Sequence, residues 1–101
     1  MKFGLQDRDF EILKQLLISP LKSKHAKLFV FGSRARNKHH PFSDLDLFYV
    51  EDDRNPISSI EISNIRENLE NSNLPIKIDL VNWVDLAESY KPSADHDKIE
   101  I

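Results

Sequence analysis

Apolar residues recur along this chain at two periods, and the switches between them divide it into alternating elements. Phe10, Leu13, Leu16 and Leu17 fall at helical spacing behind Asp7, which suits an N-cap, and Ser19-Pro20 predicts the helix's end. Leu28 to Phe31 is a run of branched and aromatic residues closed by Gly32, the pattern of a buried strand. Ser33 to Asn37 predicts a short helix, and Lys38 to Ser43 a polar loop. Asp44 to Val50 alternates as a strand does, and the cluster Glu51-Asp52-Asp53-Arg54-Asn55-Pro56 stops it. A longer helix follows, with Ile57, Ile60, Ile65 and Leu69 on its apolar side. Two starts compete for it: Asn55 and Pro56 as N-cap and first residue, or Ser58 with Glu61 as a capping box. Asn71-Ser72-Asn73 ends it. Ile76, Ile78 and Leu80 alternate with Lys77, Asp79 and Val81 in a third strand. Trp83 to Tyr90 predicts a third main helix, with Asp85 available as its cap. The polar tail after Pro92, relieved only by Ile99 and Ile101, predicts no element.

The order is α–β–(short α)–β–α–β–α. Long crossovers between strands favour a small mixed β-sheet with helices packed on it, an α/β (α+β) fold. The 101 residues make one domain spanning 1–101. Composition then narrows the function. The net charge of −3 argues against a free duplex-binding protein. The lack of cysteine excludes a disulfide scaffold, a thiol nucleophile and any cysteine-based zinc site. The longest apolar run, Leu28-Phe29-Val30-Phe31, is too short for a membrane span or a signal-peptide core, so a cytoplasmic location is the default expectation. With Gly4 and Gly32 the only glycines, neither a dinucleotide fingerprint nor a P-loop can be built. A nucleotide would have to be held by another device.

The chemistry-bearing residues lie at strand ends. Asp44 and Asp46, two apart in a strand, project from one face, with Leu45, Leu47 and Tyr49 on the other. Two adjacent carboxylates repel unless a cation or a proton relieves them, and Mg²⁺ takes one or two carboxylates with water and phosphate in its other positions. The competing reading has Asp44 opening a strand and Asp46 facing water. Asp79, between Ile78 and Leu80, either joins them as a third carboxylate or sits on a solvated face. Gly32-Ser33, between a strand end and a turn, can offer free backbone N–H groups and a hydroxyl to phosphate, with Arg34 and Arg36 as added cations. The adjacent His39 and His40 read as a solvated loop, and no Gly-x-Ser-x-Gly elbow is present.

Taken together, Gly32-Ser33, a ten-residue spacer, Asp44-Leu45-Asp46 and Ile78-Asp79-Leu80 form a joint pattern. It resembles that of the minimal nucleotidyltransferases of the DNA polymerase beta superfamily, and the resemblance runs from about Leu28 to Trp83. It is closest in Phe29-Val30-Phe31-Gly32-Ser33-Arg34-Ala35-Arg36 and Ser43-Asp44-Leu45-Asp46-Leu47. One departure is Asn37, where the family often has Gly; Asn tolerates a left-handed backbone better than most residues.

The resemblance implies a nucleotidyltransferase fold and a role for each matched residue. Asp44 and Asp46 would ligate two Mg²⁺, and Asp79 would ligate the catalytic metal and help deprotonate the acceptor hydroxyl. Gly32 and Ser33 would hold the triphosphate of ATP, with Arg34 and Arg36 assisting. It also implies a HEPN-domain toxin as partner, a hetero-oligomer, and transfer of AMP to a tyrosine of that toxin by a chain acting as antitoxin. With no acceptor domain alongside the catalytic module, a partner is expected to present the hydroxyl, through a patch that includes Trp83 or Tyr90. Two other readings stand beside this one: a module that neutralises a partner by docking alone with an idle site, and a transferase for a small molecule of the aminoglycoside kind.

Overall fold

The sheet orders its strands β3-β2-β1-β4 in the computed structural model, which describes residues 2–101. β1 (Lys27–Phe31) pairs antiparallel with β2 (Leu45–Val50) and with the two-residue β4 (Ile99–Glu100). β3 (Ile78–Asn82) runs parallel to β2, as a crossover through α3 (Ser59–Glu70) allows. The mixed sheet expected from the element order is therefore present.

Alternation along the strands assigns each residue to a face. Leu28, Val30, Leu45 and Leu47 are fully buried on one side. The helices cover that side with Leu13, Leu17 and Leu21 from the N-terminal segment and Ile62, Ile65 and Leu69 from α3. Each such side chain contributes about 1.5–3 kcal/mol by leaving water. α3 starts at the capping box: the Ser58 hydroxyl accepts from the Glu61 N–H at 3.1 Å. Asn55 is used in a turn instead, its amide donating to Asp52 at 3.0 Å. Ile60, expected on the apolar side, is 72% exposed, and Ile62 takes the place facing the core.

Other expectations are corrected. Ser19-Pro20 does not end the first helix. α1 (Asp7–Leu13) continues through a π turn over Lys14–Ile18 into α2 (Ser19–Ser23), and Gln6, without a side-chain cap, stands where Asp7 was expected. The Ser19 N–H reaches back five residues to the Lys14 carbonyl, and this wider turn admits Pro20, which has no N–H to give. Ser33 to Asn37 is a turn rather than a helix. In place of a helix, Trp83 to Tyr90 holds a 3₁₀ turn at Trp83–Asp85, capped by the Asn82 side chain on the Val84 N–H at 3.2 Å, and a second turn over 88–90, so Asp85 is not the cap. Finally, the tail is structured. α4 (Lys91–Asp97), with Pro92 in its first turn, seats Ala94 in the interior, and β4 adds to the edge of β1. Among the described residues no helix is long and apolar enough to cross a membrane.

Candidate active site

The face of the sheet turned away from the core carries two rows. Phe31, Asp46 and Asp79 are register partners in one; Phe29, Phe48 and Val81 form the next. The second row is an aromatic floor. Phe48 stacks on Phe29 with ring centroids 4.9 Å apart, and Trp83 packs on Phe48 at 4.7 Å. The Nζ groups of Lys91 and Lys98 lie over Trp83 and Phe29, at 5.6 and 5.4 Å from the ring centroids. Beside this floor, between the row of Phe31, Asp46 and Asp79 and α4, opens a cleft of about 680 Å³. One wall holds Gly32, Ser33, Asp46 and Asp79; the other is formed by Tyr90, Ser93 and Asp97.

The sequence shapes the first wall through two left-handed residues. Gly32 has φ +76°, and a Cβ placed there would come 2.7 Å from Asp46 Oδ2. Glycine is thus required both by the backbone and by the approach of that carboxylate. Asn37, at φ 57°, closes the turn. The Lys38 N–H donates to the Ser33 carbonyl at 2.9 Å and the Asn37 N–H to the Arg34 carbonyl at 3.3 Å, the Schellman pattern that glycine more often completes. Asn37 therefore serves the turn as the sequence suggested. The N–H groups of Ser33, Arg34 and Ala35 have no carbonyl partner in the turn, as at a helix start, and such groups suit an anion.

The two arginines part company. Arg34, expected beside a phosphate, is 3% exposed and does not line the cleft. Its guanidinium donates to the Ser43 carbonyl from Nε at 3.0 Å and from a terminal nitrogen at 2.9 Å, to the Phe3 carbonyl at 2.7 Å and to the Pro41 carbonyl at 3.2 Å. Burial lowers its pKa, and the nearby Asp44 opposes that shift. Arg34 is a structural clamp tying the turn to the N-terminus and to the loop before β2. Arg36 lies in the cleft, its guanidinium 3.0 Å from a carboxylate oxygen of Asp97.

The carboxylates divide as well. Asp46 is half-buried, and its pKa is raised by desolvation first, then by Asp79 and Asp44, with Lys77 opposing. Asp79, its register partner, is exposed on the rim of the same cleft. Asp44 lies one residue before the ladder, which β2 enters with the Leu45 N–H on the Lys77 carbonyl at 3.0 Å. Asp44 is exposed and does not line the cleft, and among the described residues no three such side chains converge as a ligand set. Asp46 and Asp79 pair with no cationic side chain among the described residues. Two hard oxygen donors, repelling one another beside a turn of unpaired N–H groups, fit a Mg²⁺-like cation.

Sequence reasoning missed the second wall. Tyr90, Ser93 and Asp97 stand at i, i+3 and i+7, the stripe of one helix face, and Pro92 marks the helix start. Those signals were present in the polar tail. Trp83, half-buried against Phe48, is chiefly part of the floor, while Tyr90 is 62% exposed at the rim.

Comparison with known proteins identifies the family and the fold. A family model described as "Polymerase beta, Nucleotidyltransferase" matches residues 13–97. The protein named "Probable protein adenylyltransferase MntA" from Haemophilus influenzae is 30% identical over 64 residues, 63% of this chain and 54% of the relative. The chain thus spans about half the length of that curated relative. Among solved structures, a chain of a toxin–antitoxin crystallised with AMP-PNP superposes with a TM-score of 0.64 at 19% identity, over 86% of this chain and 70% of that one. A candidate nucleotidyltransferase from Sulfolobus solfataricus gives 0.52 at 18% identity, over 92% and 78%. These two likenesses show the fold. The family match covers most of the chain, and the chain belongs to the polymerase beta nucleotidyltransferase family.

Proposed function

We propose that this chain transfers AMP from ATP to a protein hydroxyl, a tyrosine of a HEPN-type toxin, and acts as that toxin's antitoxin. The observation that carries the reading is the placement of Asp46 and Asp79 in register beside the Gly32-Ser33 turn. The names of the similar proteins, a protein adenylyltransferase and a toxin–antitoxin with AMP-PNP, support the acceptor class and the nucleotide.

The free N–H groups of the turn and the Ser33 hydroxyl bind the triphosphate, and Arg36 adds one cation. Gly32 lets the backbone approach the phosphates. Asp46 and Asp79, with Asp44 available from the strand's entry, would hold Mg²⁺, which when bound neutralises phosphate charge and activates the attacking oxygen. The acceptor oxygen bonds to the α-phosphorus, the bond to the pyrophosphate oxygen breaks, and Asp79 helps remove the hydroxyl proton. The rim beside Tyr90 is the side from which a partner's hydroxyl can enter.

Pyrophosphate release tests the reading. The chain with ATP, Mg²⁺ and a HEPN-type partner should release pyrophosphate in proportion to partner, and Asp79→Asn should abolish release. Partner-independent release, or release undiminished in Asp79→Asn, would contradict it.

A further inference from the structure

Arg36 reaches the cleft already engaged. Its guanidinium meets Asp97 Oδ2 at 3.0 Å, and the other Asp97 oxygen lies 3.3 Å from His96 Nδ1. The Arg36 side chain is 48% exposed, but that of Asp97 is only 10% exposed. Asp97 ends α4, the helix that supplies the second wall, and Arg36 belongs to the turn of the first wall. The pair therefore bridges the two walls of the cleft where an anion on the turn would lie.

We propose that Asp97 is a built-in competitor for the nucleotide's phosphates. It holds Arg36 as a phosphate oxygen would, and a triphosphate seated on Gly32-Ser33 must take the guanidinium from it. The proposal rests on the nucleotide-binding reading given above and adds the regulation of that site. Electrostatics favour competition over assistance. The cleft already contains Asp46 and Asp79, so the Asp97 charge adds repulsion against an incoming polyanion while occupying the arginine of the cleft. An arginine fork pairs with phosphate as readily as with carboxylate, so the exchange needs no change of donor geometry. Loading the nucleotide would also remove one tie of α4. The remaining ties are Ala94 in the interior, the Lys91 and Lys98 contacts on the aromatic floor, and the short β4 pairing.

Calorimetric titration with AMP-PNP and Mg²⁺, at one fixed pH for all variants, tests this. Asp97→Asn should bind about three- to tenfold more tightly than wild type, the scale of one partly exposed ion pair plus one charge. In an Arg36→Gln background the same substitution should give a clearly smaller gain, because only the charge repulsion is then relieved and no arginine is released. Unchanged or weaker binding in Asp97→Asn would overturn the proposal while leaving the site reading intact; weaker binding would make Asp97 a residue that positions Arg36. A gain that persists undiminished in Arg36→Gln would also overturn it, reducing the effect to bulk charge. Absence of AMP-PNP binding in both wild type and Asp97→Asn would sink the site reading and the proposal together. Thermal melts of each variant establish that affinities are compared between folded chains.

Discussion

Asp46 stands opposite Asp79 across the parallel β2–β3 pair, so two like charges occupy neighbouring positions on one face of the sheet. Desolvation and this neighbour raise the Asp46 pKa, with Asp44 adding to the shift. The arrangement disfavours the ionised fold on its own and is suited to a bound cation.

That cost has a measurable sign. Folded Asp46 keeps its proton to higher pH than unfolded Asp46, so the folded state binds more protons between the ordinary value of 3.8 and the raised one. Stability from this group falls as pH rises through that window, and the penalty persists in full above it. In metal-free buffer Asp46→Asn should melt a few degrees above wild type at neutral pH, with the gap closing below the ordinary carboxylate range. Mg²⁺ should then raise the melting temperature of wild type more than that of the variant. Thermal melts across pH, with chelator or Mg²⁺, check both; a variant that melts lower at neutral pH without metal would contradict the charge argument.

Gly32 answers two demands at once, a positive φ and the close approach of Asp46 Oδ2. Gly32→Ala should destabilise the chain by about 1–2 kcal/mol and displace the carboxylate. Nucleotide affinity should fall further than it does in Ser33→Ala, which removes one hydrogen bond worth about 1.5–3 kcal/mol at most. Urea melts and AMP-PNP titration of both variants provide the comparison.

The two arginines should show opposite profiles. Arg34→Ala leaves the Ser43, Phe3 and Pro41 carbonyls without their donor and should cost about 2–4 kcal/mol of stability. Arg34→Lys should recover little, since an ammonium cannot reproduce the fork. Arg36→Ala should change stability by less than about 1 kcal/mol, as expected for a partly exposed pair, and show its effect in nucleotide affinity. Equilibrium unfolding and titration of the three variants separate the roles.

Trp83 and Tyr90 should also diverge. Trp83→Ala removes a ring from the floor beside Phe48 and should cost about 1–3 kcal/mol, whereas Tyr90→Ala should stay within about 0.5 kcal/mol. If the rim beside Tyr90 receives the partner, Tyr90→Ala should weaken co-purification with it while leaving the melt unchanged.

The parts of the fold legible in the sequence were those fixed by local pattern. β1 and β2 announce themselves by apolar runs and alternation, and α3 by the capping box at Ser58, one of its two competing starts, whereas the segment after Gly32, expected as a short helix, is a turn. Alternation placed Asp44 and Asp46 on one face of a strand but left Asp79 open, and the β2–β3 register is what sets it opposite Asp46. What remained hidden depended on tertiary contact. The π turn that carries the first helix past Pro20 has no signature in hydrophobic spacing. Arg34 and Arg36 look alike in sequence, and only the carbonyls gathered around the first distinguish a clamp from a cleft residue. The tail reads as polar because α4 buries only Ala94, yet this helix forms a wall of the site.

The most direct test of the central claim is intact-mass spectrometry of a HEPN-type partner incubated with this chain, ATP and Mg²⁺. The account predicts that the partner gains the mass of one AMP, on a tyrosine, and that Asp46→Asn produces no such gain while still folding. A partner left unmodified, yet neutralised equally well by wild type and Asp46→Asn, would contradict catalysis and leave docking alone as the function.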